Sequence, residues 1–242
     1  MFLQRRVSLA KSVARILRQR LTLAHADGGR LPSEPDIATE LGVSRGTVRQ
    51  ALAILEREGA IFRRQGAGTF VNPYLLHIQA RVETAYEFTS LIQQAGYRAG
   101  IRVISVARQP LPDDIAAALA VEPDGEALVV TKLFTADDQP AIHCTDMVPA
   151  GLIREPYTDA ELVTPIFEFL DRRCYQAIAH VLADILPQVA GDELGPLLDI
   201  APGSPLLRFD EVGFNTLNKP VLFSRVYYRD QYIRFSVLRK KV

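Results

Sequence analysis

Arg45 and Arg49 lie four residues apart in a stretch that also carries Ser44 and Thr47. Four residues is just over one helical turn, so on a helix the two guanidiniums share a face. A guanidinium donates two parallel hydrogen bonds to guanine O6 and N7, while hydroxyls and free backbone N–H groups at a helix start hold phosphate. Farther on, Arg63 and Arg64 precede Gln65 and Gly66, and a glycine lets a backbone approach another surface closely. On an isolated helix such arginines are ordinary solvated charges, so their meaning depends on the elements around them. No competing catalytic pattern is recognisable. His25, His77, His143 and His180 lack metal-ligand spacing, and Cys144 and Cys174 form no Cys-x-x-Cys pair. His143 and Cys144 are neighbours in an expected strand and therefore face opposite sides. No Ser-His-Asp set, paired-carboxylate motif or phosphate loop stands out, so no catalytic residue, metal or cofactor is expected.

The 242 residues suffice for two modest domains. Hydrophobic residues make up 48% and charged residues 23%, as in ordinary soluble proteins. The net charge is zero, but residues 1–72 hold 12 Lys and Arg against 6 Asp and Glu, whereas residues 73–242 hold 16 against 22. A head at +6 on a body at −6 fits one domain that meets phosphates. No apolar run is long enough to cross a bilayer and the first residues lack a signal-peptide core, so a cytoplasmic protein without a membrane partner is expected. Two buried thiols are expected rather than a disulfide.

The elements that would position the arginines follow from periodicity and caps. Residues 7–25 read as a helix with Leu9, Val13, Ile16, Leu17 and Leu21 near helical spacing. Ser33 caps a second helix with Pro35 and Asp36 in its first turn and Gly42 at its end. Ser44 caps a third helix to Glu58, whose apolar face is Val48, Ala51, Leu52 and Leu55. Residues 61–64 and 69–71 read as a hairpin around Gln65-Gly66-Ala67-Gly68. Asn72-Pro73 mark a boundary, with a linker over 73–82 and a second domain over 83–242. There, helices are expected over 84–95, 112–120, 165–173 and 189–198. Strands are expected over 101–108, 128–135, 141–148, 206–214, 221–228 and 233–238. This order has no βαβ rhythm, so an α+β fold with a mainly antiparallel sheet follows.

The segment Leu31-Pro32-Ser33-Glu34-Pro35-Asp36-Ile37-Ala38-Thr39-Glu40-Leu41-Gly42-Val43-Ser44-Arg45-Gly46-Thr47-Val48-Arg49-Gln50-Ala51-Leu52, continued by Leu55-Glu56-Arg57-Glu58-Gly59 and Gly66-Ala67-Gly68-Thr69-Phe70-Val71, resembles the GntR family of bacterial transcription factors. The resemblance implies a winged helix-turn-helix over 1–72 that binds double-stranded DNA, the third helix in the major groove and the wing tip at the minor groove. The implied contacts are Ser44, Arg45, Thr47 and Arg49 on that helix, Ser33 before it, and Arg64, Gln65 and Gly66 on the wing. Many relatives carry a basic residue where Pro35 stands, which removes one contact here. A symmetric homodimer on a near-palindromic operator, joined through the C-terminal sheet, would double the site.

From about residue 81, Phe88-Thr89-Ser90, Ala95-Gly96-Tyr97, Thr135-Ala136-Asp137-Asp138-Gln139-Pro140, Lys219-Pro220-Val221, Ser224 and Tyr228-Arg229 resemble the UTRA effector domain of the HutC subfamily, similar to the chorismate lyase fold. Relatives that take sugar phosphates use Ser or Thr near the first segment, two arginines one residue apart in a strand, and acidic residues in later strands. Here Thr89, Ser90 and Lys132 fit that scheme, Phe134 replaces the second arginine, and Cys144 and Leu222 replace acids. With Ser224 and Tyr228 these are the expected effector contacts, for a partly apolar organic acid paired with Lys132. Phe134, Cys144 and Leu222 equally suit plain core positions. The resemblance implies a ligand-responsive regulator, a repressor in the first instance. A lyase-like enzyme fused to a DNA-binding head is the alternative, weakened because a fold does not transmit a function. A purely architectural DNA protein would leave the large C-terminal domain unexplained.

Overall fold

The computed structural model describes residues 8–26, 29–75, 78, 80–122 and 125–239. His77 and part of the expected linker, together with the first residue of the expected first helix, lie outside that set. Packing divides the chain into two compact units, one running to Ile78 and taking in Ser236 onward, the other spanning Gln79–Phe235.

The first unit is built on three helices: α1 (Leu9–Ala26), α2 (Glu34–Leu41) and α3 (Arg45–Arg57). Val13, Ala14, Leu17 and Leu21 of α1 recur at helical spacing and pack on Val48, Ala51, Leu52 and Leu55 of α3. Leu9 and Ile16, placed on that stripe by spacing alone, are exposed; each sits about a third of a turn off the buried line. Ser33 and Asp36 form a capping box: Ser33 Oγ accepts from the Asp36 N–H at 3.3 Å, and Asp36 accepts from the Ser33 N–H. Gly42 ends α2 at φ +64°, the left-handed conformation that glycine adopts without penalty. Ser44 Oγ then caps α3 by accepting from Thr47 N–H at 3.1 Å. Strands β1 (Ile61–Arg64) and β2 (Gly68–Val71) pair antiparallel, with Ile61 opposite Val71 in the core and Arg64 opposite Gly68 at the tip.

In the second unit a six-stranded antiparallel sheet dominates. After β3 (Ala80–Arg81) and α4 (Phe88–Gln94) come β4 (Ala99–Pro110), α5 (Asp113–Ala118), β5 (Glu126–Ala136) and β6 (Gln139–Pro149). These are followed by α6 (Ile166–Cys174), β7 (Ile178–Val189), α7 (Leu194–Leu198), β8 (Pro205–Asn215) and β9 (Pro220–Tyr228), then β10 (Phe235–Ser236), which pairs with β3. The sheet order is β4-β5-β6-β9-β8-β7. Side chains alternate between its faces. One face carries Leu128, Val130, Phe134, Cys144, Leu222 and Tyr228 and packs against α4 and α6. The other carries Ala127, Val129, Leu133, Met147 and Phe223 and packs against α5 and α7.

Edge strand β7 departs from the sequence reading, which left most of it unassigned and ran a helix over 189–198. Only Leu194–Leu198 is helical. β7 carries apolar residues on both parities, Val181, Leu182, Ala183, Ile185 and Leu186, so alternation is lost, and Pro187 is admissible because the strand lies at the edge. The expected helix over 84–95 begins only at Phe88, and the expected strand over 233–238 shrinks to two residues.

Leu55 has no exposed surface in the three-helix core. Leu55→Ala is expected to destabilise the first unit by ~2–5 kcal/mol through lost burial and a residual cavity. Urea unfolding followed by circular dichroism measures this; a change below ~1 kcal/mol would mean that the helix packs elsewhere.

Candidate DNA interface and effector cavity

The buried stripe of α3 dictates what its other side presents. With Val48, Ala51, Leu52 and Leu55 committed to the core, Arg45, Arg49 and Gln50 face solvent. Arg45 has no hydrogen bond or ion pair with another described residue. The Arg49 guanidinium lies 3.3 Å from Glu34, and Arg63 bridges Glu56 at 3.2 Å and Glu34 at 3.9 Å. These are solvent-facing pairs, worth ~0–1 kcal/mol, so Arg49 is released to a stronger partner at little cost. Arg64 is held over the rings of Phe62 and Phe70, 5.3 Å from each centroid, which points a cation along the wing. Gln65 and Gly66 form the exposed wing tip. Ser33 and Ser44 serve first as caps, and Thr47 shares a 2.8 Å hydrogen bond with Ser44 Oγ. Arg30, which no spacing argument identified, stands beside the wing. A Cβ at Gly68 would meet its Nε at 3.2 Å, and Gly68 itself is at φ +114°.

In the second unit, register aligns three polar residues across one sheet face. Ser224 of β9 sits opposite Asp146 of β6 on one side and Glu211 of β8 on the other. Asp146 accepts from Ser224 Oγ at 2.6 Å and from Cys144 Sγ at 3.3 Å. Lys132 is fully buried; its Nζ donates to the Thr164 carbonyl at 2.8 Å and lies 3.8 Å from Asp146 Oδ2. A small recess of about 10 Å³, room for roughly one water, is enclosed by Glu87, Asp146, Glu211, Ser224, Phe134 and their neighbours. It adjoins a chamber of about 250 Å³ through Tyr86, Phe88, Phe167 and Glu211, which line both. Phe209, Tyr228 and Phe235 complete the aromatic wall of the chamber, and β7 contributes Val181, Leu182, Ala183 and Ile185. Burial, reinforced by Asp146, pushes the carboxyls of Glu87 and Glu211 up to about 7. Burial also raises the Cys144 thiol and the Tyr228 phenol well above their ordinary values, so both stay neutral.

The family model for bacterial regulatory proteins of the gntR family matches residues 9–71, and the UTRA domain model matches residues 94–234. An HTH-type transcriptional regulator of Mycobacterium tuberculosis is 31% identical over 228 residues, 93% of this chain and 81% of that protein. The chain belongs to the gntR family. Its C-terminal UTRA domain places it with the HutC subfamily. The HTH-type transcriptional repressor NagR of Bacillus subtilis is 28% identical over 177 residues, 73% of this chain and 72% of that protein. Among solved structures, Bacillus subtilis YydK superposes with a TM-score of 0.76 at 17% identity, covering 97% of this chain and 100% of YydK. PhnF of Mycobacterium smegmatis gives 0.59 at 22% identity, covering 94% and 99%. This gntR-family chain is an HTH-type transcriptional regulator with a UTRA effector-binding domain, and the relatives it matches are regulators rather than enzymes. No helix among the described residues is long and apolar enough to cross a membrane.

Against the family pattern, Phe134, Ser224 and Tyr228 line the two spaces. Cys144 points to the same face but is sealed in the core behind Asp146, and Leu222 is a core residue packed toward α6. Thr89 and Ser90 lie on α4 beside the chamber but line neither space; Ser90 is exposed. Lys132 lines neither space, and Asp146 and the Thr164 carbonyl already occupy its charge, which corrects its expected place as a cation facing the ligand. The acids that sequence comparison sought at 144 and 222 stand elsewhere, at Asp146 and Glu211. Asp146 is two residues from Cys144 on the same strand face, so alternation alone could have found it. Glu211 reaches the recess through the pairing of β8 with β9, and Glu87 through the packing of α4, which it precedes, on the sheet; neither leaves a local signal.

In an unfolded chain Glu211 releases its proton near its ordinary 4.5, whereas in the fold it does so at about 7. Between those values the folded state binds more protons than the unfolded one, so stability falls as pH rises through this window and levels off above it. Glu87 acts in the same direction. Glu211→Gln removes the ionisable group and is expected to stabilise the second unit by ~1–3 kcal/mol at about pH 8, with little effect at about pH 4. Urea unfolding at both pH values measures the difference; an equal effect at the two would contradict the buried-carboxyl assignment.

Proposed function

We propose that the chain is a homodimeric repressor that holds a near-palindromic operator through two copies of α3 and changes its operator affinity when a small molecule fills the chamber of the C-terminal unit. The observation that carries the reading is the split character of α3. Its core-facing residues are fully committed, while Arg45 and Arg49 project from the N-terminal half, the end that enters a major groove in helix-turn-helix proteins. The repressor sign is supported by the relative named as a transcriptional repressor. Two edge strands with exposed apolar residues support pairing through the C-terminal sheet: Ile104 and Val106 on β4, Leu182 and Val189 on β7. One recognition helix reads few base pairs, so a two-fold pair is the usual route to specificity. An effector alters operator affinity only by binding one arrangement of the dimer more tightly than another. The protein would work in the cytoplasm, where its operator is. An organic acid, the effector that the sequence favours, lacks a counter-charge here, because the Lys132 ammonium is already paired.

Arg45→Ala and Arg49→Ala are each expected to weaken operator binding by about 1–3 kcal/mol, the cost of one bidentate base contact, as read by gel shift. Unchanged affinity and specificity in both variants would remove α3 from base reading. Light scattering is expected to give about twice the chain mass. A monomer both alone and on DNA would contradict the two-fold arrangement.

A further inference from the structure

We infer that the ligand of the C-terminal chamber is an organic cation, a primary amine whose apolar body fills the aromatic chamber and whose ammonium head, about the size of a water, enters the acidic recess. The inference rests on the reading of this cavity as the effector site and names the chemical class it takes.

Charge balance is the first support. Three carboxyls, Glu87, Asp146 and Glu211, line the recess, and no Lys, Arg or His among the described residues lines either space. The one ammonium nearby, Lys132, is paired with Asp146 and donates to the Thr164 carbonyl. Asp146 is further satisfied by Ser224 and Cys144. The side chains of Glu87 and Glu211 have neither a hydrogen bond nor an ion pair among the described residues. Half-buried carboxylates without partners are costly, and they are relieved either by taking up a proton or by receiving a cation. Glu83 at the chamber rim is ion-paired with Arg81, and Glu168 of α6 with Arg172, so neither brings an unpaired charge to the recess. Among the described residues that line the two spaces, Glu87 and Glu211 are the carboxyls left without a partner, and the field of Lys132 offsets that of Asp146 only in part at Glu87.

Aromatic geometry is the second. Tyr86, Phe88, Phe167, Phe209, Tyr228 and Phe235 wall the chamber, and ring faces attract cations while rejecting anions. The rings hold one another edge-on: Phe88 against Tyr228 at 6.1 Å, Phe209 against Tyr228 at 5.1 Å and Tyr228 against Phe235 at 4.8 Å. The cage is therefore formed before the ligand arrives. At about 250 Å³ the chamber lies just below the ~300–1,000 Å³ usual for drug-sized ligands, which limits the ligand to metabolite size. Glu211 faces both spaces, so a head that enters the recess meets a carboxylate on the way in and two more inside.

The test uses the full chain and probes matched in shape but not in charge: phenethylamine, 2-phenylethanol and 3-phenylpropionate, with glucose 6-phosphate as a further member. Calorimetry and thermal shift are expected to show the amine bound, the neutral and carboxylate probes at least about tenfold weaker, and glucose 6-phosphate unbound. Amine affinity is expected to rise between about pH 6 and pH 8, where Glu87 and Glu211 ionise while the amine stays protonated. Glu211→Gln and Glu87→Gln, read separately, should each weaken amine binding by about tenfold and flatten that pH dependence. Tighter binding of 3-phenylpropionate or glucose 6-phosphate, affinity that falls with pH, or failure of phenethylamine to bind would overturn the inference. Binding of the carboxylate or the sugar phosphate with a change in operator retention would leave the effector reading standing without the cation. Binding of the amine with no change in operator retention would leave the cation site standing without the effector role.

Discussion

A regular element has one face to give to the core, and whatever the protein does must be done with the rest. In α3 the 3.6-residue period makes the division unambiguous: Val48, Ala51, Leu52 and Leu55 point into the three-helix core, so Arg45 and Arg49 cannot. The caps then fix where the helix begins. Ser44 accepts from Thr47 N–H, and Gly42 turns the chain immediately before it, which sets the register of the arginines relative to the first turn. Rotating α3 by one residue would bury a guanidinium and expose a leucine, a far larger cost than any surface ion pair could repay.

The C-terminal sheet obeys the same constraint with period two, and it is informative where the pattern is interrupted. On the face that α4 and α6 cover, apolar residues give way to a row of Asp146, Ser224 and Glu211, with Lys132 beside it. Lys132 and Asp146 neutralise each other, whereas Glu87 and Glu211 stay unpaired and are lifted to about 7. Carboxyls held at such values make the fold less stable at neutral pH than apolar residues of the same size would. Fold stability gives no reason for the arrangement, and a binding site does. Cys144, in the adjacent row opposite Lys132 and Val226, is buried with a raised thiol and is correspondingly inert, a packing residue rather than a reactive one.

The head was legible almost entirely in the sequence because its signals are local. Ser33, Gly42 and Ser44 mark helix ends within a few residues, and the α3 stripe is read from one helix alone. Leu9 and Ile16 misled because apolar type was weighed over angular position. In the second unit, Phe134, Cys144, Leu222, Ser224 and Tyr228, which the family resemblance singled out, share one sheet face. The pairing of the charges around them was not legible. Whether Lys132 faces a ligand or an acid depends on which residue β6 sets beside it, and Asp146 was one alternation step from the position considered. Glu87 and Glu211 come from opposite ends of the unit's sequence and line one recess only because α4 packs on the sheet face that carries β8. Edge strand β7 was lost because it has no single buried parity, and with it went one wall of the chamber.

In the function proposed above, the exposed N-terminal half of α3 reads guanine edges in the major groove from each half of a two-fold site. Guanine-N7 methylation interference, on operators selected from random duplexes by the full chain, tests it most directly. Two clusters of interfering guanines are expected, related by two-fold symmetry and centred about one helical turn or a multiple apart, with one cluster position in each half-site lost in Arg45→Ala. Selected operators in which N7 methylation has no effect, with interference confined to phosphates or to the minor groove, would contradict it.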